Sequence, residues 1–184
     1  MDLPLPAVRE VSAWPAACRL WLYKAGLGRA EIGQLGAYYH PPSDRVVLPV
    51  LDPATGKPVF WQARAVDGRQ PKYLAPAVDR SRVLPRYGSA AVPTLTEDIL
   101  SAFKVGLVSE GWAVMGTRVN DFTMALLMQR RRCNVWLDPD AAGQRGAAKI
   151  VKQLRAYNIE VRNIISPRDP KLMHRAQIKE LLTA

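Results

Sequence analysis

Apolar residues in the first forty positions recur at close to helical spacing, at Ala16, Leu20, Leu22, Tyr23, Ile32 and Leu35. Gly26 and Gly28 interrupt that stretch as helix ends do, so the pattern predicts a short helical hairpin. Pro41-Pro42 then stops it. Arg45 to Leu51 is a short apolar run suited to a buried strand, and 52–57 carries turn chemistry in Asp52-Pro53-Ala54-Thr55-Gly56-Lys57. Residues 59–66 read as the returning strand, closed by Asp67-Gly68. The Pro- and Arg-rich stretch 71–88 is expected to be ordered loop. Beyond it the texture alternates: strand 91–96, helix 98–105, strand 112–115, helix 121–131, strand 134–137, helix 141–157, strand 160–165 and a closing helix 172–182. That order predicts an α/β fold with a mostly parallel sheet flanked by helices. The expected domains are 1–90, a small α+β subdomain, and 91–184, the α/β domain. In such sheets the working residues sit just beyond the carboxyl ends of strands.

Composition narrows the class. A chain of 184 residues with 48% hydrophobic content supports a folded core. No apolar run reaches the ~20 residues of a membrane span, and Met1 to Val11 lacks the apolar centre of a secretory signal. No membrane partner is expected, and the cytoplasm is the expected compartment, that of a host if the chain is phage-encoded. The two cysteines, Cys18 and Cys133, exclude a disulfide framework and a four-cysteine zinc ribbon, so no zinc is expected. The net charge of +10 and the pI near 10.0 favour a polyanionic partner, most commonly nucleic acid.

Val135-Trp136-Leu137-Asp138-Pro139-Asp140-Ala141-Ala142-Gly143 carries the most specific chemistry. An apolar strand runs into two carboxylates two residues apart, which on extended chain point the same way. Mg²⁺ is commonly bound through one or two carboxylates plus substrate phosphate oxygens, and this spacing suits it. A helix N-cap with an acidic first turn accounts equally well for the same residues. Glu97, with Asp98 beside it, and Asp169 also follow predicted strands. These acids cluster only if their strands are neighbours, and such a cluster needs a cation against mutual repulsion.

These residues resemble the Toprim domain shared by bacterial-type primases and topoisomerases. The matches are Glu97, the strand-closing Gly116-Thr117, and Asp138-Pro139-Asp140 followed by Ala141-Ala142-Gly143. Asp169-Pro170 matches a step of the primase branch. Arg45 to Asp52, Gly56, Arg64, Gly68 and Pro71-Lys72-Tyr73-Leu74 look like the N-terminal subdomain of the bacterial primase polymerase core, and Arg80, Arg82 and Tyr87-Gly88 continue that likeness. The resemblance runs from about Trp14 to Ala184. Two positions depart from it. Asp98 follows Glu97 directly where the family usually has Gly, and Lys171 stands where the family has a second acid after Asp-Pro. Two alignments follow: Glu97 as the catalytic acid, which is preferred, or Asp98 in the family's Asp position with Thr94 at its Glu.

The resemblance implies templated synthesis of short RNA primers on single-stranded DNA from ribonucleoside triphosphates, by a minimal phage-like primase core using Mg²⁺ or Mn²⁺. It implies Glu97, Asp138 and Asp140 as catalytic residues and metal ligands, with Asp169 assisting. Arg45, Arg64, Lys72, Tyr73 and Arg82 become the expected nucleotide- or DNA-binding residues. A replicative helicase, or a zinc-binding module acting in trans, is the further expected partner. The competing readings are a Toprim metal-dependent nuclease and a catalytically degenerate single-stranded DNA-binding module. Arg130, Arg131 and Arg132 are expected to close a helix, while Trp61, Trp112, Trp136 and Cys133 are expected in the core.

Overall fold

A computed structural model describes residues 1–183. The chain forms two compact units, Met1–Asp79 and Arg80–Ala184. Ala184, the end of the expected second domain, lies outside the described residues.

In the first unit, α1 (Ala16–Lys24) buries Cys18 and Leu22, and α2 (Arg29–Leu35) buries Ile32 and Leu35. Leu20 and Tyr23, included in the expected apolar stripe, are exposed instead. Glu31 starts α2 by accepting the Gly28 amide at 2.9 Å. Gly36, at φ 70°, supplies the left-handed residue that ends it. An antiparallel sheet follows in the order β1 (Tyr38–His40), β2 (Arg45–Leu51), β3 (Pro58–Arg64), β4 (Tyr73–Leu74). The apolar run of β2 is buried up to Leu51, as its composition predicts. Pro49 is tolerated inside it because β1 pairs only as far as Val47, so at Pro49 the strand is bonded on one side. Asp52 Oδ1 builds the β2–β3 turn by accepting the amides of Ala54 and Thr55.

The stretch 71–88 is not loop throughout. It contains β4 and also β5 (Arg86–Gly88), which joins the second sheet. Pro71, Pro76 and Pro85 cut the stretch into runs of a few residues, too short for a strand periodicity to show.

The second unit is a five-stranded sheet ordered β5-β7-β6-β8-β9, with β6 (Thr94–Thr96), β7 (Glu110–Ala113), β8 (Arg132–Val135) and β9 (Glu160–Asn163). The last four strands in that order run parallel, and β5 is an antiparallel edge. The helices are α3 (Ile99–Gly106), α4 (Asp121–Arg130), α5 (Ala141–Ala156) and α6 (Arg175–Thr183). Consecutive residues of one strand reveal the two layers. Leu137 packs with Ala147, Ile150 and Leu154 of α5, whereas Trp136 packs with Val105 of α3 and Ile178 of α6. Alternation along extended chain thus places helices on both faces. The ladder outlasts β8, since the Trp136 amide donates to Leu95 O at 2.8 Å and the Ile164 amide to Val135 O at 2.8 Å.

Two shifts of the expected helix limits bear on the site. Asp98 caps α3 rather than opening it, its Oδ1 accepting the Ser101 amide at 2.8 Å. The closing helix starts at Arg175, because Pro170–Leu172 forms a 3-10 turn and Met173 is extended. Trp112 and Trp136 are fully buried and Cys133 is core, while Trp61 is half-buried. No helix among the described residues is long and apolar enough to cross a membrane.

Candidate metal-binding acid cluster

The strand order makes β6, β8 and β9 neighbours, so the acids that follow them gather at one edge of the second sheet. Glu97 is the first residue after β6, and Asp138 follows the last ladder residues after β8. Asp169 ends the loop after β9, which is anchored from below: Trp136 Nε1 donates to Ser166 Oγ at 2.7 Å, and Ser166 Oγ to Arg168 O at 2.7 Å.

Two glycines set how closely the next layer approaches. A Cβ on Gly143 would lie 2.2 Å from Asp138 O, and one on Gly146 would lie 2.5 Å from Thr117 Cβ. The first turn of α5 therefore lies directly on the Asp138 peptide, and the Gly116-Thr117 turn lies directly on the second. Gly116 in turn donates its amide to Glu97 O at 3.1 Å.

The side chains divide the cluster in two. On one side Lys171 Nζ lies 2.7 Å from Asp169 Oδ2, 2.8 Å from Asp98 Oδ2 and 3.5 Å from Asp138 Oδ2. Asp98 is then used at both oxygens, one by the α3 cap and the other by the lysine. On the other side Glu97 Oε2 and Asp138 Oδ1 are buried with no hydrogen-bond partner. Asp140 is exposed and caps α5, its Oδ1 accepting the Gly143 amide at 2.7 Å. The cap reading of Asp-Pro-Asp therefore describes Asp140, and the ligand geometry describes Asp138.

Protonation follows this arrangement. Burial pushes Glu97 above the usual carboxylate range, and Asp138, Asp140 and Asp98 push it further, with Lys171 opposing. Burial also raises Asp138, against the pull of Lys171. Burial alone would lower Lys171, but Asp98, Asp169 and Asp138 outweigh it and hold its ammonium above the ordinary lysine range.

Two unpaired carboxylate oxygens, on acids that burial raises, are what a hard divalent cation neutralises. Glu97 and Asp138 are the residues whose free oxygens could take such an ion. Among the described residues no three His, Cys, Asp or Glu side chains converge as a ready-made cage. Of the four ligands implied by the resemblance, Asp169 is engaged by Lys171, and Asp140 keeps one oxygen on its cap.

The expected nucleic-acid residues are spread over both units. In the first, pairing of β3 with β4 sets Arg64 opposite Tyr73, with Lys72 alongside. The Arg64 guanidinium lies 5.1 Å from the Tyr73 ring centroid and 5.2 Å from that of Trp21, between two aromatic surfaces. Lys72 is exposed, with Nζ 5.7 Å from the Tyr73 centroid. Arg45 is buried, and its guanidinium donates to Ser43 O at 2.8 Å and Pro71 O at 2.9 Å, tying down the loop that carries Lys72. Arg82 is exposed in the second unit, where Arg80 and Arg118 line a cavity of about 320 Å³ with Met115 and Asn120. Arg130 ends α4 and pairs with the buried Glu110 at 3.1 Å, Arg131 adopts the left-handed cap, and Arg132 pairs with Glu160.

Trp21 and the lysine clamp were not readable as site features. A lysine after Asp-Pro reads as a lost ligand, and nothing in the sequence sets Trp21 beside Arg64. Only the fold brings each to its partners.

No protein-family model matches the chain, and no curated protein matches it in sequence. Solved structures match in fold. A DnaG catalytic core superposes with a TM-score of 0.74 at 18% identity, over 96% of this chain and 74% of that one. A DnaG primase catalytic domain bound to single-stranded DNA gives 0.71 at 18% identity, over 95% and 71%. The primase fragment of the bacteriophage T7 primase-helicase protein gives 0.65 at 15% identity, over 88% and 70%. The chain has the mixed α/β fold of the primase catalytic core.

Proposed function

We propose that this chain synthesises short RNA primers on single-stranded DNA, through a Toprim-type site that works with Mg²⁺ or Mn²⁺. The observation that carries the reading is the pair of buried, unpartnered carboxylate oxygens, Glu97 Oε2 and Asp138 Oδ1, at adjacent strand ends of a primase-core fold. The bound ion supplies positive charge to the transferring phosphoryl group. Asp138 and Glu97 would hold it, with Asp140 as a further ligand through the oxygen its cap leaves free. Glu97, at the end of β6, is also the residue assigned to accept the proton of the attacking 3′-hydroxyl. The reaction joins that oxygen to the α-phosphorus of a ribonucleoside triphosphate, and pyrophosphate leaves. In the other unit, Lys72 offers a point charge for phosphate, while Tyr73 and Trp21, stacked about Arg64, present aromatic surface to bases.

The relatives in fold include a primase bound to single-stranded DNA and the primase part of a primase-helicase. A single-stranded template and a helicase partner belong to the proposal for that reason, and a zinc-binding module acting in trans belongs to it through the resemblance in sequence. A minimal phage-like core in the cytoplasm completes the reading, with the first unit serving as primase N-terminal subdomain and the second, which takes in β5, as Toprim domain.

One observation favours a second reading. Lys171 already neutralises part of the acid cluster, as expected of a core that binds single-stranded DNA without catalysis. The deciding experiment incubates the protein with single-stranded DNA, labelled ribonucleotides and Mg²⁺ or Mn²⁺, beside an Asp138→Ala/Asp140→Ala variant. Short labelled RNA made only by the wild type supports the primase. DNA cleavage lost in the variant points to a nuclease. DNA binding by both proteins without either product supports the binding module.

A further inference from the structure

We infer that Lys171 is a built-in cation that permanently fills one half of the acid cluster, so that the site takes a single divalent ion, between Glu97 and Asp138. This rests on the metal-binding reading above but not on which reaction the metal serves.

The geometry is that of a cation site with the cation attached to the chain. Lys171 Nζ has three carboxylates around it, at 2.7 Å from Asp169, 2.8 Å from Asp98 and 3.5 Å from Asp138. The first two are charge-assisted hydrogen bonds of ordinary length. The three carboxylates come from the loop after β9, the N-terminus of α3 and the end of β8, so one ammonium ties three elements together. The lysine side chain is only 16% exposed. Its approach is fixed by the 3-10 turn at Pro170–Leu172, which packs on α3.

The same lysine leaves the other half of the cluster unsatisfied. Asp138 divides its oxygens, Oδ2 toward Lys171 and Oδ1 buried without a partner, and Glu97 Oε2 is likewise without one. A tethered ammonium cannot reach both halves at once. An exchangeable ion is therefore needed at Glu97 and Asp138 and is excluded from Asp98 and Asp169. Two consequences follow: the Asp98–Asp169 side is held together before any metal arrives, and the metal dependence is that of one site.

The test is a Mn²⁺ titration of the full chain, followed by electron paramagnetic resonance of free Mn²⁺, with Lys171→Gln and Lys171→Met as variants. The wild type is expected to bind one Mn²⁺ per chain. The variants are expected to bind two, with the exchange broadening of neighbouring ions. Their melting temperature without metal should fall below that of the wild type and be restored by Mn²⁺, which also shows that they fold. Two ions bound by the wild type would overturn the assignment of Lys171 while leaving the metal site standing. One ion in both proteins would overturn it as well, because the lysine would then exclude nothing. No ion in either would remove the metal reading and this inference together. Primer synthesis is not needed for any of these outcomes, so failure of the primase reading with one ion in the wild type and two in the variants leaves the inference intact.

Discussion

Gly143→Ala is a one-carbon test of how the site is positioned. The added Cβ would sit 2.2 Å from Asp138 O, 3.0 Å from Asp138 C and 3.1 Å from Asp138 N, where ordinary contacts begin at 3.4 Å. All three atoms are backbone, so no side-chain rotation relieves the overlap. The helix start is held from the other direction by the 2.7 Å bond from the Gly143 amide to Asp140. The Asp138 peptide must therefore move by roughly 1 Å, a displacement that at a catalytic group costs on the order of 100-fold in rate. The overpacking should also cost about 1–3 kcal/mol of stability. Helix propensity alone predicts the opposite, a gain of up to about 1 kcal/mol for Ala over Gly. Primer synthesis and Mn²⁺ affinity, measured beside the thermal melt, separate the two. Ala142→Gly is the control, since it weakens the same exposed turn without touching Asp138. A Gly143→Ala protein that melts higher than the wild type and keeps its activity would refute the close-packing argument.

Three further outcomes follow from the structure. Glu97 and Asp138 are both raised, so the fold binds protons that the unfolded chain releases, and metal-free stability declines as pH rises from the ordinary carboxylate pKa of about 4 toward their raised values. Glu97→Gln should flatten that decline and raise the melting temperature in EDTA at pH 7.5, while abolishing primer synthesis; a lower melting point would contradict the repulsion. Arg45→Ala should destabilise the chain by about 2–4 kcal/mol, because it frees the carbonyls of Ser43 and Pro71 and empties a buried site. A urea titration measures this, and an unchanged midpoint would show that the arginine is not structural. Lys72→Ala should leave the urea midpoint in place and reduce the salt slope of single-stranded DNA binding by about 0.7; an unchanged slope would remove Lys72 from the interface.

Much of this arrangement is legible before folding. The apolar run of β2 and the alternation beyond residue 90 describe their elements well, because burial on one or both faces imposes a period. The strand-to-helix step at Asp138 was readable for the same reason, since apolar chain meets two acids and then small residues. What escaped depends on contacts remote in sequence. β4 and β5 hold two and three residues, and their pairing partners, not their composition, make them strands. Asp138 and Asp140 share a spacing but not an environment, because only one of them lies under the first turn of α5. Arg45 has the sequence context of a phosphate ligand, yet its guanidinium is spent on two backbone carbonyls, that of Ser43 nearby and that of Pro71, 26 residues away. Lys171 acquires its meaning from acids remote in the chain, Asp98 73 residues earlier and Asp138 33 residues earlier.

Iron-directed cleavage reports whether the carboxyl ends of β6 and β8 hold a divalent ion. Fe²⁺ replaces Mg²⁺ in such sites and, with ascorbate and peroxide, cuts the backbone beside it. Fragments should end near Glu97 and Asp138, be suppressed by excess Mg²⁺ and be absent from the Asp138→Ala/Asp140→Ala variant. Cleavage elsewhere in the chain, or the same fragments from the variant, would contradict that placement of the ion.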